Sequence, residues 1–192
     1  NTADGGGALA VDDYGSVTAT DATFDGNQST SGDGGAILVS AGANVALDNA
    51  TVVNNGGGDD VGAIENEEGG TVTLRSVTLN GNAGSDLDSS GTTTLQNSII
   101  ADGCSGDDDP NSQGNNILPS DTCLLEATDG DIPDGVPGLS ALADNGGPTE
   151  TEALLSTSDA IGNGSDCDDE DQRHIDRGGT CDIGSYAAGV QF

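Results

Sequence analysis

Four stretches of this sequence lie over one another in register: GGALAVDDYGSVTATDATFDGN from Gly6, GGAILVSAGANVALDNATVVNN from Gly34, VGAIENEEGGTVTLRSVTLNGN from Val61, and the degenerate GSDLDSSGTTTLQNSIIADG from Gly84. Their starts are 28, 27 and 23 residues apart. A period of this length marks a chain that stacks one structural unit on the next. Apolar residues recur in columns: Leu9, Ile37, Ile64 and Leu87; Val17, Val45, Val72 and, out of pattern, Thr93; Ala19, Leu47, Leu74 and Leu95; Phe24, Val52, Leu79 and Ile100. Within a segment they alternate with polar residues, as in Val72-Thr73-Leu74-Arg75. That is the period of a strand with one buried face, and helical spacing does not fit it.

Three short strands per repeat, small inward residues and glycine-rich corners predict an all-β fold, a parallel β-helix or β-solenoid. One coil alone has too little core. Stacked at roughly 4.8 Å, the coils pair their backbone groups with the coils above and below. Asp21, Asn49, Ser76 and Asn97 fall on one corner, where Asn and Asp tolerate the positive φ that a corner needs. Asn27, Asn55 and Asn82 fall on another, where stacked amides are expected to bond from coil to coil. Asn1 shares that corner, so the sequence opens at the closing corner of a coil. The first coil then calls for a cover, either missing coils of a longer chain or a second copy of the protein stacked head to tail as a homo-oligomer.

Thirty-four acidic residues face three arginines and no lysine, a formal net charge of -31. Such a surface repels nucleic acid and anionic membrane. An acidic chain poor in aromatics is a candidate for disorder, but the strict periodicity argues against that. Acid uncompensated by lysine suits a salt-saturated habitat, where screening acts over roughly 3 Å or less; an acidic secreted protein that binds calcium is the alternative. Cysteines stand only at 104, 123, 167 and 181. Nearest-neighbour pairing, Cys104 with Cys123 and Cys167 with Cys181, is the most economical of three pairings. No C-x-x-C spacing occurs and His174 is the only histidine, which disfavours zinc. Disulfides imply an oxidising, extracellular or cell-surface location, and no apolar run of membrane-spanning length is present.

Beyond Ala101 the repeat loosens. The motifs ADNGGPTET, ALLSTSDAIGNG, DQR and CDIGSYAAG resemble the C-terminal signature of choice-of-anchor Q domain proteins, right-handed β-helix surface proteins related to polymorphic outer-membrane repeat proteins. The GGAI and TF.GN elements upstream resemble their coils. The resemblance implies a right-handed, extracellular or cell-surface β-helix without an assigned enzymatic activity. Asp159, His174 and Ala187 depart from the pattern, where proline, glycine and an acidic residue are usual. On this reading residues 1–103 are regular coils, and 104–192 are irregular coils and a cap of the same single domain. Ile117, Leu118, Leu124 and Leu125 are expected in the core, with Leu139, Leu142, Leu154, Leu155 and Ile161 beneath the last turns.

Polysaccharide lyases and glycoside hydrolases also use β-helices, and fold does not fix function. A lyase of that kind needs a basic residue as catalytic base, and a hydrolase needs paired carboxylates with basic residues to hold an anionic substrate. Here lysine is absent, Arg75 sits at an outward strand position, and Arg173, His174 and Arg177 fall in the cap. A non-enzymatic structural role, as a filament or appendage subunit or part of an adhesin, is therefore expected, with no catalytic residues. The run DCDDEDQ offers Asp166, Asp168, Asp169 and Asp171 as calcium ligands, beside a second acidic run from Gly106 to Asn111, although neither has EF-hand spacing. A threonine array of the ice-binding kind is interrupted at Ala46 and Asp48. Sequons at Asn27, Asn49 and Asn163 are candidate glycosylation sites, and a surface glycan is a candidate ligand.

Overall fold

The computed structural model describes residues 1–57, 61–125 and 129–189, and shows a parallel β-solenoid. The first coil holds β1 (Thr2–Gly5), β2 (Leu9–Val11), β3 (Ser16–Thr20) and β4 (Thr23–Asp25). The second holds β5 (Gln28–Asp33), β6 (Ile37–Val39), β7 (Asn44–Asp48) and β8 (Thr51–Val53). Next come β9 (Val61–Asn66), β10 (Thr71–Arg75) and β11 (Thr78–Asn80), then β12 (Ser85–Ser89), β13 (Thr92–Gln96) and β14 (Ile99–Ile100). A reduced coil adds β15 (Cys104–Ser105) and β16 (Asn111–Ser112). Three sheets run down the stack in the orders β2-β6-β9-β12-β15, β3-β7-β10-β13-β16 and β4-β8-β11-β14, with β1-β5 as a short fourth.

Register follows the sequence columns. Leu9 pairs with Ile37 and Ile37 with Ile64; Val17, Val45, Val72 and Thr93 pair in turn; Phe24, Val52, Leu79 and Ile100 do the same. These side chains fill the bore. Thr93 is buried within the Val column because its hydroxyl accepts from Asn66 Nδ2 and Ser89 Oγ, both at 3.0 Å, which removes the cost of a hydroxyl in an apolar core. The second glycine of each GGA-type motif is fixed by close stacking. A Cβ on Gly7, Gly35 or Gly62 would run into the backbone oxygen of Gly35, Gly62 or Ala83 respectively.

The predicted corners hold. Asp21, Asn49, Ser76 and Asn97 all adopt positive φ, between 48° and 54°. At the other corner the amide ladder forms. Asn1 Nδ2 donates to Asn27 Oδ1 at 3.2 Å, Asn27 Nδ2 to Asn55 Oδ1 at 2.9 Å, and Asn55 Nδ2 to Asn82 Oδ1 at 3.0 Å. The backbone N–H groups of Asn27 and Asn55 donate to the same oxygens. Asn82 Nδ2 closes the ladder on Asp86 Oδ1 at 2.7 Å, an acceptor that needs no further donor role.

The second half differs from the end cap expected of it. Residues 104–125 and 129–135 continue the stack, with Ile99, Ile117 and Ile132 bridged in parallel and Leu118, Cys123 and Leu125 plugging the bore. Residues 136–189, however, do not lie beneath the last turn. They run back along the outside of the β4-β8-β11-β14 sheet as a strap. Thr149 and Glu150 reach the first coil at Asp21 and Thr23, Asn163 and Ser165 return to Asn115 and Asn97, Gln172 reaches Thr23 and Thr51, and Ser185 settles on Thr51 and Thr78. A second apolar core, with Ile99, Ile117, Leu154, Ala160 and Ile183, lies between strap and sheet. Leu124, Leu155 and Ile161, expected inside, are exposed by 62%, 47% and 38%. The bore is already full at Leu125, and under the strap it is Leu154 and Ala160, next to Leu155 and Ile161, that are buried instead.

Candidate functional site: an acidic groove and an open coil edge

Outward positions of β3, β7, β10 and β13 form a cross-strand column, Thr20, Asp48, Arg75 and Gln96. The strap passes over it. Arg75 Nη2 donates to Asp166 O at 2.7 Å and lies 3.1 Å from Asp168 Oδ1. Thr20, Asp21, Asp48, Asn49, Asp168, Asp169 and Glu170 line an open groove of about 470 Å³, with His174 at its edge. His174 stands 3.6 Å from Asp21 Oδ2 and 3.5 Å from Glu170 Oε2. Burial, reinforced by the neighbouring Asp168, pushes the Asp48 carboxyl up to about 6. Burial also raises Asp21, opposed by His174.

The four aspartates read as calcium ligands do not converge. Asp166 is exposed and offers its carbonyl to Arg75, while Asp168 is held by the same arginine. Asp169 is exposed. Asp171 is turned inward and saturated. Its Oδ1 accepts from the N–H of Arg173 and of Ile175, and its Oδ2 from Arg173 Nε at 2.9 Å, Arg173 Nη2 at 2.6 Å and Ala187 N at 2.9 Å. A carboxylate with these donors has no lone pair aimed at a cation. Among the described residues no group of three or more His, Cys, Asp or Glu side chains is arranged to hold a metal ion.

The cysteines pair as the sequence predicts, Cys104 with Cys123 and Cys167 with Cys181. The first bond staples the plugged end of the bore, and the second closes the strap loop that carries Arg177. Arg177 latches strap to coil. Its Nη2 donates to Asn49 Oδ1 at 2.7 Å and Gly184 O at 2.9 Å, its Nη1 to Asp182 O, and its Nε to Glu170 O. Burial lowers its pKa, against the pull of surrounding aspartates. Arg173 stacks 3.6 Å above the Tyr186 ring. Of the sequons, Asn27 is buried in the ladder and Asn49 under Arg177, whereas Asn163 is exposed. In the folded chain only the Asn163 amide among these three is open to a modifying enzyme.

Two groups were not foreseen from the sequence. Glu152 is buried against the third coil, where its Oε2 accepts from Asn80 Nδ2 at 2.8 Å, and burial pushes its pKa up to about 7. Burial raises Asp86 to about 7 as well, against hydrogen bonds from Asn82, Asp102 and Ala101. Neither Glu152 nor Asp86 stands at a periodic position that marks it as buried.

At the opposite end from the bore plug, β2, β3 and β4 have a paired strand on one side only. Leu9, Val17, Ala19 and Phe24, the first members of the bore columns, are only partly buried, whereas Ile37, Leu47 and Val52 in the next coil are fully covered. Among the described residues the exposed large apolar side chains are Tyr14 in the first coil, and Leu124, Val136, Leu155 and Ile161 in the part of the chain that flanks the last coils. Fold and site together define a disulfide-stapled, strapped parallel β-solenoid. Comparison with known protein families, with curated proteins and with solved structures finds no match to this chain. The two disulfides point to an oxidising, extracellular-type environment, and among the described residues no helix is long and apolar enough to cross a membrane.

Proposed function

We propose that this chain is a non-enzymatic, extracellular structural protein, a β-solenoid of the cell surface whose first coil is an assembly edge. The observation that carries this reading is the one-sided pairing of β2, β3 and β4 above a half-covered first rung of the bore. Unpaired strand groups beside partly exposed apolar residues form a template for another coil. A second copy of the chain, bringing its apolar flank near the last coils, is the occupant we favour. A contact of that kind is head-to-tail and does not close, so it yields a filament; the same edge serves an adhesin in which further coils precede this one.

The resemblance of the C-terminal motifs to choice-of-anchor Q domain proteins supports a surface role, and the charge of -31 supports a halophilic source. The absence of enzymatic activity is supported by the arginines. Arg75 is engaged by Asp166 and Asp168, Arg173 by Asp171 and Tyr186, and Arg177 by carbonyls. None is left to hold an anionic polysaccharide. Electron microscopy of the purified chain in molar salt and in low salt tests the proposal. Filaments that grow as salt screens the acidic surface are expected. Monomers at every salt and protein concentration would overturn the assembly reading, and cleavage of an acidic polysaccharide abolished by one carboxylate substitution would overturn the non-enzymatic one.

A further inference from the structure

We propose that residues 136–189 are a proton-fastened strap, closed on the solenoid while Asp48 and Glu152 carry protons and lifting from it when both ionise. The strap meets the coils at two carboxyl contacts. At the first, Asp48 of β7 lies within hydrogen-bonding reach of Asp168 of the strap. Asp48 Oδ1 and Asp168 Oδ2 are both buried, and neither has a hydrogen-bond donor among the described residues. Two carboxyl groups bond to each other only through a proton. Arg75 of β10 neutralises one charge of the pair, through Asp168 Oδ1. Asp21 of the first coil faces Asp48 and opposes its ionisation, and the strap's own Glu170, Asp171 and His174 stand around Asp21. Arg177 supplies a second positive charge, but it is bonded to carbonyls and to Asn49.

At the second contact, Glu152 of the strap is buried on Asn80 of β11 and faces Asp102, so ionising it places a second carboxylate beside an existing one. The elevated pKa values of Asp48 and Glu152, about 6 and about 7, place both events in the neutral range. A carboxyl whose pKa is raised by folding stabilises the closed state below its unfolded value, and that stabilisation is lost as the pH rises through the folded value. Closure is therefore complete in mild acid and weakens toward mild alkali. Asp86 titrates in the same range but lies in the solenoid ladder, so its effect registers in the coils and not in the strap.

What the strap covers gives the switch a consequence. Beneath it lie Thr51, Thr78 and the apolar Ile99 and Ile117, all shut off from solvent. Lifting the strap bares a sheet face at neutral to alkaline pH and conceals it in acid.

Hydrogen exchange read by mass spectrometry on the full, disulfide-intact chain tests this, at fixed salt and with rates corrected for the intrinsic pH dependence. Between about pH 5 and about pH 8, strap amides are expected to lose at least ~10-fold protection relative to the amides of β7 and β10, since each titrated carboxyl can shift the opening equilibrium by up to about two orders of magnitude. The Asp48→Asn, Glu152→Gln double variant keeps both hydrogen-bonding shapes without the charges, and is expected to hold the strap closed at both pH values. Equal strap protection of the wild-type chain at the two pH values would overturn the proposal. So would a double variant that opens with the same pH profile as the wild type.

Discussion

Replacing Asn55 with alanine removes the middle rung of the amide ladder. The Asn55 side chain is shut off from solvent. Its Oδ1 accepts from the N–H and the Nδ2 of Asn27, both at 2.9 Å, and its Nδ2 donates to Asn82 Oδ1 and Phe24 O, both at 3.0 Å. Alanine deletes all four bonds and takes their partner from Asn27 N, Asn27 Nδ2 and Phe24 O, on the first and second coils where water enters only if the stack loosens, while Asn82 Oδ1 keeps the N–H of residue 55. At ~1 kcal/mol net per bond, the loss is about 4 kcal/mol, at the upper end of what one substitution does. Asn55→Asp sharpens the test. A carboxylate still accepts both Asn27 donors but confronts Asn82 Oδ1 and Phe24 O with a like-signed acceptor. It is expected to lose at least as much near neutral pH and to recover part of that in acid, where the protonated group regains one donor. Guanidinium denaturation at fixed molar salt reads both variants, with the exposed Asn44→Ala as the surface control. A loss below ~1 kcal/mol for Asn55→Ala at unchanged slope would show that the ladder reports turn propensity alone and refute the argument.

Other expectations follow from the strap and the sequons. Glu152→Gln should stabilise the chain at about pH 8, by up to roughly 3 kcal/mol given a pKa raised to about 7, and should change little at about pH 4 where the native group is already protonated; thermal melts at the two pH values check this. Removing the second disulfide with a Cys167→Ala, Cys181→Ala pair frees a loop with a sequence separation of 14 and should cost about 3 kcal/mol, seen as proteolysis within the strap before the coils melt. Expressed through a eukaryotic secretory pathway, the folded chain should gain a glycan at Asn163 and leave Asn27 and Asn49 bare, since both are buried; peptide mass spectrometry after glycosidase treatment decides, and occupancy at Asn27 in folded protein would contradict the ladder.

The regular half was legible because its physics is periodic. One alternation, Val72-Thr73-Leu74-Arg75, repeated at a fixed spacing fixes which face is buried, which residues stack and where the corners turn. Even the exception is understandable after the fact, since Thr93 finds its partners in Asn66 and Ser89, residues that no spacing rule links to it. The strap was not legible in this way. Its polar anchors, Gln172 on Thr23 and Thr51 and Arg177 on Asn49, join residues more than 120 positions apart, and a glutamine or arginine in a loop reads as solvated. Asp171 misled in the opposite direction. Inside an acidic run it reads as a free ligand, but the Arg173 two positions on turns it inward. Leu155 and Ile161 show that an apolar residue beside a buried one need not be buried, because irregular backbone has no period to assign its faces.

The reading of the first coil as an assembly edge rests on backbone groups that face away from the stack. Gly15 O accepts from Asn44 N, and Asp21 N donates to Asp48 O. The odd-numbered residues of β3 therefore pair with β7, and alternation turns the N–H of the exposed Thr18 to the open side. Thr18→Pro removes that donor and leaves the pairing with β7 intact, as proline does on an edge strand. Sedimentation velocity in molar salt, over a range of concentrations, compares this variant with the wild-type chain. The account predicts a wild type that grows with concentration and a Thr18→Pro chain that stays monomeric at unchanged denaturation midpoint. A wild type that stays monomeric, or a variant that assembles as the wild type does, would contradict it.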